Sequence, residues 1–168
     1  MTRRTIAIDF AVESELWQTI PDVEAVITEA VSAAVAGAKL KHAPGAELSV
    51  VLTDDAGIAK INAAWRAIDK PTNVLSFPLV QPAATARAPM LGDIILAYET
   101  LDREALEAGR PFQQHLTHLA VHGLLHLFGY DHVTPDEAEA MEAMEIAILA
   151  RLGIDNPYAG APLLRAAG

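Results

Sequence analysis

The sequence predicts an α+β domain, a small four-stranded sheet packed with about five helices. Three observations predict it. Short β-branched runs come mostly in the first hundred residues. Long apolar-periodic segments dominate the rest. Caps, prolines and glycines bracket most of those segments.

Thr5-Ile6-Ala7-Ile8-Asp9-Phe10 alternates and is β-branched, so it reads as the first strand. Pro21 then opens a helix, because a missing N–H costs nothing in the first helical turn. That helix runs to about Ala38 and stops before Pro44-Gly45. Leu48 to Leu52 is the second strand. Asp54 or Asp55 can cap the next helix, which carries Ile58, Ile61 and Trp65 on one face. Asn73 to Phe77 is a short third strand ended by Pro78. Gln81 to Pro89 reads as a mobile loop, and Leu91 to Ala97 as the fourth strand. Glu99 to Ala108 is a short helix ending at Gly109, and Pro111 starts another that reaches about Phe128. Thr134-Pro135-Asp136-Glu137 is a helix start with a Thr cap, Pro in the first turn and acids that suit the helix dipole. The last helix reaches Leu152, and Gly153 ends it. The 168 residues suit a single domain, 1–168, with a loose Pro/Gly/Ala-rich tail from Asp155.

A hydrophobic fraction of 52% argues against disorder. The chain has no cysteine, which removes disulfides, thiolate metal sites and cysteine nucleophiles, and fits a reducing compartment. No signal peptide or membrane span is recognisable, so a cytoplasmic protein without a membrane partner is expected. The net charge of −10 speaks against non-specific coating of nucleic acid. The charge is uneven, however. Between Gly57 and Gly92 four basic residues face one acid, while from Val133 onward two Arg face six acids.

Five of the six histidines fall between His115 and His132. His122 and His126 are four apart, which stacks their rings on one helix face. Gly129 can turn the chain back so that His132 approaches them. Three imidazoles converging in this way make a metal site with open positions, as catalytic zinc requires. A chance cluster of core or surface histidines is the plainer reading, and the spacing around a helix-ending Gly favours the metal. His115 and His118 lie on nearly the same stripe and can line the site, support a ligand or serve the core. Asp131 can orient a ligand imidazole or cap the turn. His42 lies in a Lys/Pro/Gly-rich loop and is expected to be exposed. The spacing H-x3-H-x2-G-x2-H is that of metzincin proteases, which carry Glu as general base after the first His; here that position is Gly123. Two readings fit Arg66: a phosphate-binding guanidinium, or a helix C-terminal cation favoured by the dipole.

His118 to His132, H-L-A-V-H-G-L-L-H-L-F-G-Y-D-H, resembles the signature of the YbeY family of bacterial rRNA maturation factors. The resemblance extends to Ile61–Arg66, to P-T-N-V-L-S-F-P at Pro71–Pro78, to L-G-D-I-I at Leu91–Ile95, and through Met141–Glu145 to Leu152-Gly153. It covers most of the chain from Leu48 to Tyr158; the first 45 or so residues match loosely. Asn73 departs from the family, which more often has Asp there. The resemblance implies a zincin-like α+β fold with a mixed sheet. It implies one Zn2+ held by His122, His126 and His132, and a functional role for Arg66. It also implies single-strand-specific endoribonuclease action in 16S rRNA 3′-end maturation and ribosome quality control. The implied partners are rRNA and ribosomal or ribosome-assembly proteins, with no DNA. The rival expectations are a metzincin-like protease, and a non-catalytic assembly factor whose metal is structural.

Overall fold

Residues 5–159 are described by the structure, a computed structural model. Four strands form one mixed sheet in the order β1-β2-β4-β3. They are β1 (Ala7–Val12), β2 (Glu47–Thr53), β3 (Val74–Pro78) and β4 (Met90–Ala97). β1, β2 and β4 are mutually parallel, and β3 pairs antiparallel with β4 as an edge strand. The expected mixed four-stranded sheet is therefore present. Five helices accompany it: α1 (Val23–Gly37), α2 (Asp55–Arg66), α3 (Tyr98–Ala108), α4 (Phe112–Leu127) and α5 (Pro135–Arg151).

The two faces of the sheet bury different partners. Leu48, Val50, Leu52, Val74, Ile94 and Leu96 join residues of α1, α4 and α5 in the main core. Leu75, Ile95 and Ala97 face the other way and meet Ile58 of α2. This alternation is the period-2 side-chain pattern of strands, and it places α4 and α2 on opposite faces. Edge strand β3 carries Pro78 as its last residue, where no further ladder bond is lost.

Helix ends follow the local chemistry in most cases. Asp54 caps α2 by accepting from Gly57 N–H at 2.8 Å. Thr134 and Glu137 form a reciprocal capping box at the start of α5. Gly109 and Gly153 adopt positive φ where α3 and α5 end.

Several expectations are corrected. Pro21 does not enter the first turn of α1; Asp22 intervenes as the N-cap in a left-handed conformation. Pro78 belongs to β3 rather than following it. Gln81–Pro89 contains a short 3-10 turn at Pro82–Ala84. His42 is buried, with Nδ1 2.8 Å from the Ala43 carbonyl. Trp65 is 75% exposed although Ile58, one turn-pair earlier on the same stripe, is fully buried. Arg110 donates to the Asn156 carbonyl at 2.8 Å, and Tyr158 reaches back to Glu145 of α5. The rest of the tail, 160–168, lies outside the described residues.

A second 3-10 segment, Glu15–Thr19, was not anticipated; it delivers Trp17 to the core. Trp17 is 1% exposed, donates from Nε1 to the Thr53 carbonyl at 2.7 Å, and meets Tyr98 and Phe112 edge-on. Removing it opens a cavity and takes one hydrogen bond from a buried carbonyl. Trp17→Ala should therefore cost about 3–5 kcal/mol, read as a lower urea midpoint at unchanged slope.

Candidate metal centre and cleft

Helix α4 presents His115, His118, His122 and His126 in sequence along one side. The helix then ends in two backbone bonds. Gly129 N–H donates to the His126 carbonyl at 3.1 Å, and Tyr130 N–H to the Leu125 carbonyl at 3.0 Å. This is a Schellman closure, which needs a left-handed residue at its turn. Gly129 supplies it with φ +101°, and a Cβ there would stand 2.9 Å from Pro82. The turn brings His132 back towards the helix. Asp131 accepts the His132 backbone N–H at 2.8 Å, so this carboxylate braces the turn.

His122, His126 and His132 each offer a ring nitrogen, and the three atoms lie within 4.8 Å of one another. Ring centroids are 4.7 Å apart for His122–His126, 5.1 Å for His126–His132 and 5.9 Å for His122–His132. The Nε2 atoms of His126 and His132 are buried without a hydrogen-bond partner. Buried polar atoms are ordinarily satisfied, so two orphaned ring nitrogens beside a third histidine fit a bound cation. Burial, reinforced by the neighbouring His122 and His132 charges, lowers the His126 pKa to about 4. A neutral imidazole is the form a metal takes.

His122, the third candidate ligand, is held from behind. Glu145 of α5 is fully buried and accepts from His122 Nδ1 at 2.8 Å and from His118 Nε2 at 2.6 Å. Tyr158 donates to the same carboxylate. Burial works to raise the Glu145 pKa, but the bonds from His118 and His122 and their charges hold it well below the usual carboxylate range. The carboxylate thus stays ionised, fixes the His122 tautomer and leaves Nε2 free to face the cluster. His118 is 1% exposed and its pKa is lowered, chiefly by burial. It serves Glu145 rather than joining the three-histidine group. Glu145→Gln keeps the shape but weakens this support, and the affinity of the three histidines for a metal ion, read by competition titration with zinc as the probe, should fall about 10–100-fold.

Sequence reasoning missed Glu145 and Tyr158. A signal for Glu145 existed: it shares the apolar stripe of α5 with Met141, Ile148 and Leu149, where an acid has no reason to stand unpartnered. Tyr158 lies beyond the helix and left no periodic trace.

A second polar string runs alongside. His115 Nε2 is 2.8 Å from Glu104, and Glu104 also accepts from Asn73 Nδ2 at 3.1 Å. The Asn73 amide thus donates a bond that an Asp carboxylate cannot make. Neither His115 nor Asn73 is among the residues lining the cleft described next.

His122 and His126 open onto a cleft of about 360 Å³, which Arg66, Ser76, Phe77, Pro82 and Asp131 also line. Arg66 and two of the three candidate ligands therefore share one cavity, although 56 residues separate Arg66 from His122. His132 and His122 also line a smaller cavity of about 180 Å³ on the α5 side, with Glu142, Glu145 and Tyr158. Gly123, where a metzincin places its base, packs against the sheet. A Cβ there would stand 3.1 Å from both Ser76 Oγ and Ile94 Cγ2, so a side chain at this position would press on the sheet. Ser76 Oγ also donates to the Gly123 carbonyl at 3.1 Å.

Comparison with known proteins gives a consistent result. The family model described as Endoribonuclease YbeY matches residues 11–153. Proteins named Endoribonuclease YbeY are similar throughout. The one from Methylocella silvestris is 56% identical over 155 residues, covering 90% of this chain and 85% of its own. One from Rhodopseudomonas palustris is 55% identical over 156 residues, covering 91% and 90%. The Bradyrhizobium diazoefficiens protein is 57% identical over 155 residues, covering 90% and 84%. The solution structure of TM1509 from Thermotoga maritima shares the fold, with a TM-score of 0.52 at 22% identity, covering 89% of this chain and 92% of that one.

Proposed function

The chain belongs to the YbeY endoribonuclease family, and from that premise we propose that it is a metal-dependent endoribonuclease acting on single-stranded RNA. The observation that carries the proposal is that Arg66 lines the same cleft as His122 and His126. The name borne by its relatives supplies the substrate class, RNA.

In this reading His122, His126 and His132 hold a zinc ion. Bound there, zinc supplies Lewis acidity and a water whose pKa is lowered to about 7. Arg66 grips the scissile phosphate through two N–H donors and offsets the charge that builds on its oxygens. Glu145 keeps His122 oriented through Nδ1. Asp131 lines the cleft and braces the turn that carries His132. The physiological substrate is 16S rRNA at its 3′ end, and ribosomal or ribosome-assembly proteins present it. The acidic chain binds free RNA weakly and with strong salt dependence, and those partners contribute the remaining affinity.

Two rival readings have less support. A peptide hydrolase needs a general base beside the metal, and Gly123 offers none. A purely structural metal has no need of an open cleft with an arginine in its wall. Among the described residues no helix is long and apolar enough to cross a membrane.

The test is cleavage of a labelled single strand and of its matched duplex by zinc-loaded protein. The single strand should be cut and the duplex spared. Equal cleavage of both, or cleavage that persists undiminished in Arg66→Ala, would overturn the reading.

A further inference from the structure

Trp65 is the most exposed aromatic group for which the fold provides no cover. It stands in the last turn of α2, 75% exposed, beside Arg66. A Trp side chain carries some 150–250 Å² of largely apolar surface, so leaving it in water forgoes a sizeable stabilisation. One edge is supported. The Phe77 ring lies 6.0 Å away, tilted by 51°, and Phe77 itself lines the cleft. The turn beyond Trp65 is bonded back to the helix. The Asn62 side chain on α2 donates to the Lys70 carbonyl at 3.0 Å, and the Ala67 N–H closes back onto the Ala63 carbonyl at 3.2 Å. These bonds pin the turn that follows Trp65 and Arg66 onto the helix. Lys60 and Lys70, both exposed, belong to the same basic stretch of sequence.

We propose that the exposed face of Trp65 is a stacking platform for an unpaired nucleobase next to the phosphate held at Arg66. This rests on the endoribonuclease reading and deepens it, because it names what selects the single strand. Three features commit the surface to a nucleobase. The aromatic face is continuous, through Phe77 and Arg66, with the cleft that would hold the phosphate. The stretch of chain that carries Trp65, Gly57 to Gly92, holds four basic residues against one acid, a balance that suits a polyanion. The platform is flat and preformed, and every base has a π-face to lay on it. A duplex keeps its bases stacked inside and has none to offer. The platform therefore rejects duplex without reading sequence.

The test uses the zinc-loaded full chain and an eight-nucleotide single-stranded 2′-O-methyl RNA of mixed sequence, checked for integrity after each measurement. The chain has two tryptophans, and Trp17 is buried in the core, so RNA contact is read as quenching of the Trp65 fluorescence. Wild type should show saturable quenching. Affinities of wild type and variants are compared by anisotropy of a dye-labelled copy of the same RNA, and by that measure Trp65→Ala should bind on the order of tenfold more weakly, with the slope of log affinity against log salt unchanged, because a stack is lost and no phosphate contact is. Trp65→Tyr should recover most of the affinity, which a merely steric role would not require. Wild-type affinity in Trp65→Ala, or binding without quenching in wild type, would overturn the platform. Cleavage of the unmodified strand by wild type is followed in parallel. If cleavage is absent while quenching and the Trp65→Ala loss persist, the endoribonuclease reading fails and the platform stands. If cleavage is present without them, the platform alone fails.

Discussion

His126→Ala should abolish stoichiometric zinc binding and reduce RNA cleavage to background. Four-ligand zinc sites bind with about 10–16 kcal/mol, so one ligand accounts for roughly 3 kcal/mol, or more than a hundredfold in affinity. The loss should not come from unfolding. His126 Nε2 makes no hydrogen bond within the protein, and the ring is crowded by His122 and His132. Its depressed pKa means that no favourable charge is lost near neutral pH. Metal-free His126→Ala should accordingly be at least as stable as metal-free wild type in a denaturant titration. A variant that kept one zinc per chain would show that His126 is not a ligand.

Arg66→Ala should separate chemistry from metal binding. Arg66 is exposed in the cleft wall and makes no contact with the histidine cluster's supporting bonds. Zinc content and thermal midpoint should therefore stay at wild-type values. Cleavage should fall about 10²–10³-fold, the cost of removing a donor aimed at developing charge. Arg66→Lys should restore part of the rate, since it returns the charge without the bidentate fork. Unchanged cleavage in Arg66→Ala would leave the arginine as a helix C-terminal cation and nothing more.

How far the site was legible in the sequence depends on how local its causes are. The three histidines were legible because a helix and one helix-ending glycine bring them together. The spacing of His122 and His126 needs only the helical period, and Gly129 makes the turn by itself. The capping box at Thr134–Glu137 is equally local. Arg66 was legible only as an ambiguity, because spacing says nothing about which cleft a helix end will face. The sheet order decides that: β3 is an edge strand beside β4, and its residues Val74 to Pro78 line the same cleft as Arg66 and two of the histidines.

What escaped is non-local. Glu145 reads as one more surface acid unless its place on the apolar stripe is noticed, and its partners lie 23 and 27 residues away on α4. Tyr158 reached it from a tail expected to be loose. Trp65 misled in the opposite direction. It shares a stripe with Ile58 and Ile61, yet cover dwindles from Ile58 through Ile61 to Trp65 towards the end of α2. Periodicity reports which face a residue is on, and cannot report where the partner surface stops. Pro21 and His42 failed for a related reason. Each lies in a connection whose path is set by elements packed elsewhere.

On the proposed reading, the histidine cluster and Arg66 together form a metal-dependent RNA-cleaving centre. The most direct measurement is the cleavage rate of one labelled single strand by a single preparation, stripped by chelator and then titrated with zinc. An Arg66→Ala preparation purified identically exposes any contaminating nuclease. Activity should vanish on stripping, return in proportion to bound zinc, and saturate at one equivalent per chain. Full activity in the stripped protein, or equal activity in the Arg66→Ala preparation, would contradict the account.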